Sequence, residues 1–278
     1  MDYRLKLAVM FAALAVPAIT AAQAANAPPN VLGVYRETVK PGKDIAHTKW
    51  ETAWSRALEA AKNPTTFLAM TATTGTNEAW FVTPYTSLAD LQKVNETNDA
   101  SAAMTAINEK YLPAESDYLQ DGRMMILTLR ADLSYSTGTS ASEFRYFSVS
   151  RTLVRPGHTA EFVEARTAIK AAHEKAKLPD SFAIYQVVDG MPTGTYYLLA
   201  GRKSLAELDN AAKIHADPAY VAALGPDWTK RNEALVAGYV TSAQTDLFAV
   251  NPGMSSVPKE WIAADSYWKP KAPAKKAP

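Results

Sequence analysis

Hydrophobic and polar positions along this chain fall into one pattern that occurs twice. Residues 31–39 read as an apolar strand. Pro41-Gly42 then reverses the chain, because proline fixes φ and glycine permits the turn. Over residues 43–62, Ala46, Trp50, Trp54 and Leu58 recur at helical spacing until Asn63-Pro64 ends the helix. Short strands over 67–73 and 79–83 flank Thr74-Gly75-Thr76-Asn77, a hairpin signal. Ser87-Leu88-Ala89-Asp90 opens a helical region with a capping serine and an acid three positions on, running with interruptions to about Tyr111. Residues 124–129 make the fourth strand.

After a Ser/Thr/Gly-rich stretch over 132–143, the order begins again. Residues 146–154 are a strand, and 158–177 a helix with Phe162, Ile169 and His173 on its apolar stripe. Residues 182–188 and 195–200 form a hairpin around Asp189-Gly190. A helical region opens at Ser204-Leu205-Ala206-Glu207 and restarts at Asp217-Pro218, with aspartate as cap and proline at the first position. Residues 239–250 close the pattern.

The two passes align residue by residue. Tyr35-Arg36-Glu37-Thr38-Val39-Lys40-Pro41-Gly42 matches Ser150-Arg151-Thr152-Leu153-Val154-Arg155-Pro156-Gly157. The offset is 115 from Pro41 to Pro156 and from Phe67 to Phe182, and 117 from Ser87 to Ser204. The extra two residues fall in the second hairpin, where loops tolerate them. This predicts a tandem duplication. The expected organisation is a leader (1–24), a first repeat (25–130), a linker (131–143), a second repeat (144–250) and a C-terminal extension (251–278).

Within residues 182–188, one strand face shows Phe182, Ile184 and Val188 and the other Ala183, Tyr185 and Val187. A sheet with one wet face alternates apolar and polar. Helices cover one face only, so the second repeat must cover the other. The expected fold class is α+β: two tandem β-α-β-β-α-β ferredoxin-like repeats forming an intramolecular dimeric α+β barrel. The strand–basic–Pro-Gly–helix passages at Lys40-Pro41-Gly42 and Arg155-Pro156-Gly157, with this element order, resemble the dimeric α+β barrel superfamily of antibiotic-biosynthesis monooxygenase-like and NIPSNAP-like domains. The resemblance covers roughly residues 31–129 and 145–250.

The net charge of +1 hides an uneven distribution. Without the leader's Arg4, Lys6 and Asp2 and the tail's Lys269, Lys271, Lys275 and Lys276, the body carries −4. That gives no electrostatic reason to expect nucleic acid. Arg4 and Lys6, the apolar run over 7–16 and Ala22-Gln23-Ala24 read as an export signal cut near Ala24, too short to span a bilayer. The expectation is a periplasmic or secreted protein, with no membrane segment in the mature form, as a monomeric pseudo-dimer or a homodimer. There is no cysteine, so stability rests on the core alone. Trp261, Tyr267 and Trp268 are expected to fold back on the body, and the Lys/Pro/Ala-rich end to be disordered.

Candidate chemistry is sparse. Arg36 and Arg151 hold equivalent strand positions among apolar neighbours, which calls for an anionic partner: a ligand's carboxylate or phosphate, or an acid of the chain such as Glu37, Glu161 or Glu164. His47, Trp50 and Trp54 share a helical stripe. His173 lies on the matching stripe of the second repeat, at the place of Leu58, and Phe162 stands at the place of His47. The family resemblance implies that the cleft between sheet and helices takes substrate or haem, with His47 or His173 as proton-transfer group or haem ligand. The structural alternative for each is a partly buried histidine bonded to a backbone carbonyl, or an exposed one at the edge of the stripe. Tyr185, Tyr196 and Tyr197 either line that cleft or fill the core. His158 and His215 read as exposed. The four histidines show no zinc-type spacing, and no Ser/His/Asp order, phosphate loop or dinucleotide fingerprint occurs. Three readings follow: an exported binding protein for a small, mostly apolar molecule in a cleft lined by Trp50, Trp54, Tyr185 and a histidine; a cofactor-independent or haem-dependent monooxygenase-like enzyme; or a structural protein with filled clefts.

Overall fold

The computed structural model describes residues 26–269, the side chain of Ala212 excepted. The expected leader, with its cleavage site, and the chain from residue 270 on lie outside the described residues. Eight strands form a closed barrel in the order β1-β3-β2-β8-β5-β7-β6-β4: β1 (Val31–Val39), β2 (Leu68–Ala72), β3 (Glu78–Tyr85), β4 (Leu119–Leu129), β5 (Tyr146–Val154), β6 (Ala183–Asp189), β7 (Thr195–Arg202) and β8 (Val240–Val250). The β-α-β-β-α-β order occurs twice, and each four-stranded half joins the other edge to edge. Met70 of β2 pairs with Val250 of β8, and Leu127 of β4 with Val187 of β6. Closure leaves no open sheet edge.

Both strand faces are buried, as the alternation required. The inner faces of the two halves meet in a core that includes Leu32, Val34, Trp80, Met125, Tyr185, Tyr197 and Phe248. Trp80 lies 4.9 Å from the Phe248 ring and 5.5 Å from Tyr197. Each such side chain contributes about 1.5–3 kcal/mol by leaving water. The outer faces carry the helices. In the first half these are α1 (Asp44–Ala60), α2 (Leu88–Asp99), α3 (Ala102–Tyr111) and the single turn α4 (Glu115–Tyr118). In the second half they are α5 (Thr159–Ala176), α6 (Ala206–His215), α7 (Pro218–Leu224) and α8 (Trp228–Tyr239), and α9 (Lys259–Ala264) follows β8. None of these is long and apolar enough to cross a membrane.

The two Pro-Gly reversals place Gly42 and Gly157 at φ of 78° and 86°, a region that suits glycine alone. Strand β4 begins at Leu119, five residues before the expected start. Leu119 is buried, but Gln120, Asp121, Gly122 and Arg123 after it are exposed, so the hydrophobic pattern did not mark this end of the strand. The linker is tied to the body: Leu133 is fully buried, and Tyr135 pairs with Phe182. The C-terminal extension folds back as expected. Trp268 is buried, its indole N–H donates to the Ser142 carbonyl at 3.0 Å, and Arg145 lies 4.0 Å over the Tyr267 ring and pairs with Asp265.

Candidate functional site in the second sheet–helix cleft

A cavity of about 530 Å³ opens between the outer face of β7, with Ser150 of β5 beside it, and helices α5, α7 and α8. Its walls mix apolar side chains, among them Ile169, Phe182, Leu198, Tyr220 and Trp228, with the ionisable groups of Arg166, His173, Asp180, Arg202 and His215. This is the size and make-up of a small-molecule site.

His173 is only 2% exposed. Its Nδ1–H donates to the Ile169 carbonyl at 2.8 Å, one turn back on α5. A carbonyl only accepts, so this bond fixes the proton on Nδ1 and leaves Nε2 as the reactive nitrogen. Nε2 lies 3.6 Å from Asp180 Oδ2. The two side chains therefore face each other in the cleft wall. The rings of Tyr220, Phe182 and Tyr135 enclose the imidazole at 4.9, 5.1 and 5.3 Å. Burial alone would push the Asp180 carboxyl up; the bond and charge of His173, with the Arg202 guanidinium, outweigh it and hold the group below the usual carboxylate range.

Two polar atoms in the cleft are buried with no hydrogen-bond partner among the described residues, Asp180 Oδ1 and Arg202 Nε. Buried polar atoms are normally satisfied, so both await a partner. Arg166 makes no ion pair among the described residues; its guanidinium lies 5.6 Å over the Phe162 ring, and burial lowers its pKa. The cleft therefore holds an imidazole, a carboxyl and two guanidiniums, and neither guanidinium makes an ion pair within about 4 Å among the described residues.

The matching cleft of the first half is packed with charge. His47 Nε2 meets Glu37 Oε2 at 2.6 Å and Glu51 Oε1 at 3.7 Å, all three buried. The buried stripe of α1 is His47, Glu51, Ser55 and Leu58, not the expected His47, Trp50 and Trp54. Glutamate is rarely buried, which is why the apolar and aromatic spacing pointed to the tryptophans. Trp50 packs on Tyr118 and Tyr111, and Trp54 on Phe67, with no hydrogen-bond partner for its indole N–H among the described residues. Both flank the charged stripe.

Arg36, Arg151 and Tyr197 line a third space, a cavity of about 290 Å³ at one mouth of the barrel. Arg36 pairs with Glu78 at 2.6 Å, an acid that was not among the expected partners, and lies 5.1 Å over Trp80. Arg151 reaches Gln244 at 3.4 Å. Tyr185 and Tyr197 are on the inner face of the barrel, so neither lines a sheet–helix cleft, and the expected grouping of Tyr185 with Trp50 and Trp54 is corrected. The Tyr185 hydroxyl donates to the Pro29 carbonyl at 3.0 Å. Of the three tyrosines only Tyr196 faces the helices, with its ring 4.3 Å from Phe162.

Haem, implied by the resemblance, does not fit either histidine. Nε2 of each imidazole faces a carboxylate, and three aromatic rings close around His173. Sequence reasoning missed Arg166, Asp180 and Arg202 in the second cleft. Asp180 follows α5 in a loop without periodicity, and no motif or apolar spacing singles out the two arginines. Glu51 did carry a signal, being one helical turn after His47.

No protein-family model matches the chain, and no curated protein matches it in sequence. Its fold is that of known α+β barrels. An anthrone oxidase-like protein superposes with a TM-score of 0.52 at 12% identity, covering 81% of this chain and 92% of its own. A candidate monooxygenase from Fusobacterium nucleatum gives 0.51 at 11% identity, covering 79% and 91%. Another, from Lactobacillus acidophilus, gives 0.50 at 9% identity, covering 80% and 94%. At these identities the likeness is one of fold: the chain adopts the dimeric α+β barrel fold within a single polypeptide.

Proposed function

We propose that this protein is a monooxygenase-like oxidase that works without haem on a small, mostly apolar substrate bearing an enolisable carbonyl or phenolic group. The observation that carries this is the 530 Å³ cleft, where His173 and Asp180 share the lining with two guanidiniums that make no ion pair among the described residues. The substrate's acidic C–H or O–H proton passes to the pair at His173 Nε2. The electron pair left behind becomes an enolate or phenolate, held by Arg166 and Arg202. That anion is the form of such a molecule that reacts with dioxygen. In the net change a methylene becomes a carbonyl, one oxygen atom enters the product and the other leaves as water. The names of the barrels of like fold, oxidase-like and monooxygenase, support this class of chemistry.

Oxygen uptake with a panel of enolisable aromatic ketones tests the reading. Turnover that Asp180→Asn reduces about 100-fold, the scale of a lost general base, supports it. Saturable binding with no oxygen uptake overturns the oxidase and leaves the exported binding protein. The leader pattern of Arg4, Lys6 and Ala22-Gln23-Ala24 supports export, checked by N-terminal sequencing of protein from a cell fraction. The shared 115-residue offset supports a common origin for the two halves.

A further inference from the structure

We propose that Glu37, His47 and Glu51 form a binding site for a divalent first-row metal cation in the first half of the barrel. Strand β1 supplies Glu37, and α1 supplies His47 and Glu51 one turn apart, so three donor groups converge from two elements. One ligand atom from each lies within 4.8 Å of the other two. The residues are only 1–3% exposed. His47 Nε2 is 2.6 Å from Glu37 Oε2 and 3.7 Å from Glu51 Oε1. Ligands bonded at about 2.0–2.1 Å around a tetrahedral ion stand roughly 3.3 Å apart. The two observed distances bracket that value, so side-chain shifts of under about 1 Å admit an ion at ordinary bond lengths.

The placement of Glu51 points to a ligand as well. Among the described residues no donor from outside the cluster reaches its carboxyl, which is 4% exposed and faces His47. Glu115 is held from outside the cluster by the Tyr35 hydroxyl, which donates to its Oε1 at 2.7 Å. That is how outer-shell groups position a metal's surroundings. Oxygen donors with one imidazole suit Zn²⁺, Mn²⁺ or Fe²⁺ rather than a soft ion. The bound ion would tie α1 to β1, independently of chemistry in the second cleft.

The full-length chain, stripped with a chelator and dialysed, is titrated with Co²⁺ as a visible-absorbing probe and with Zn²⁺ in a calorimeter. The expected result is one saturable equivalent, a rise in Tm, and affinity at least 10-fold weaker in Glu51→Gln but unchanged in Asp180→Asn. Glu37→Gln, checked by circular dichroism, carries the same test should Glu51→Gln fail to fold. No saturable binding, or equal affinity in wild type and both glutamine variants, overturns the site.

Discussion

In the first half of the barrel, α1 lays His47 and Glu51 against Glu37 on β1. In the second half, the same three positions, 115 residues on, hold Phe162, Arg166 and Thr152. The reverse holds at the far end of the helix, where Leu58 in the first half stands opposite His173 in the second. The frame is common to both, since β1 and β5 are each nine residues long and both begin in a closed antiparallel set. What differs is the chemistry beneath the helix. Glu51 adds a second buried carboxyl beside His47 in the first cleft, its pKa pushed up to about 10 by burial and by Glu37; Arg166 puts a guanidinium at that place in the second. A helix on a sheet fixes where a side chain points, and a single position then decides what the space between them holds.

The sharpest way to break this contrast is to add bulk to each cleft. Ser55 is buried, and its hydroxyl donates to the Ser255 carbonyl at 3.1 Å. Ser55→Trp overfills a packed space and removes that bond, with an expected cost of about 3 kcal/mol or more. That corresponds to a fall in Tm of about 10 °C. Ile169→Trp projects into the 530 Å³ cavity, so its cost is expected below about 1 kcal/mol, with loss of ligand binding. Equal Tm shifts for the two variants would show the clefts to be packed alike.

Removing charge from the second cleft ranks next. Arg166→Ala deletes a guanidinium that has no ion pair among the described residues. Substrate affinity or turnover is expected to fall about 10²-fold, roughly 2.7 kcal/mol, while Tm changes by only a few degrees. A variant that loses stability but keeps turnover would make Arg166 a packing residue.

A smaller effect separates the clefts by pH. The Asp180 carboxyl lies below its ordinary range in the fold, so its ionised form stabilises the protein above the unfolded value of about 3.9 and that contribution disappears as pH falls through the folded value. Asp180→Asn is expected to cost about 1–2 kcal/mol at pH 7. The gap between variant and wild type should close as denaturation is followed from pH 5 down to pH 3. A gap that stays constant over that range would detach Asp180 from His173.

Much of this frame was legible in the chain. The repeated offset and the two apolar faces of residues 182–188 pointed to a closed barrel, because each face demands a cover. His47 and His173 were legible as helix-stripe residues. The partners were not. Glu37 and Glu51 violate the expectation that glutamates face water, and Asp180 reaches His173 from a loop that no periodicity marks. Tyr185 and Tyr196 show the limit of pattern at finer scale. Alternation separates the two faces of a strand, but which face turns inward depends on barrel closure, and closure is set by pairings between residues more than 50 positions apart, such as Leu127 with Val187.

The smallest expected difference lies at the barrel mouth, between the two arginines that occupy equivalent strand positions. Arg36 makes a two-point pair with Glu78, at 2.6 and 3.3 Å, and lies over Trp80. Glu78 is 9% exposed and also accepts the Trp80 indole N–H at 2.7 Å. Arg36→Ala leaves that carboxylate short of its cation, so a loss of about 1–2 kcal/mol is expected. Arg151 has Gln244 at 3.4 Å and, among the described residues, no carboxylate bond, so Arg151→Ala should change stability by less than about 0.5 kcal/mol. Chemical denaturation of the two single variants resolves the difference. Equal losses would mean that Arg151 has an anionic partner in solution, and the −4 body charge expected of the mature chain would then have to be apportioned differently around the two mouths of the barrel.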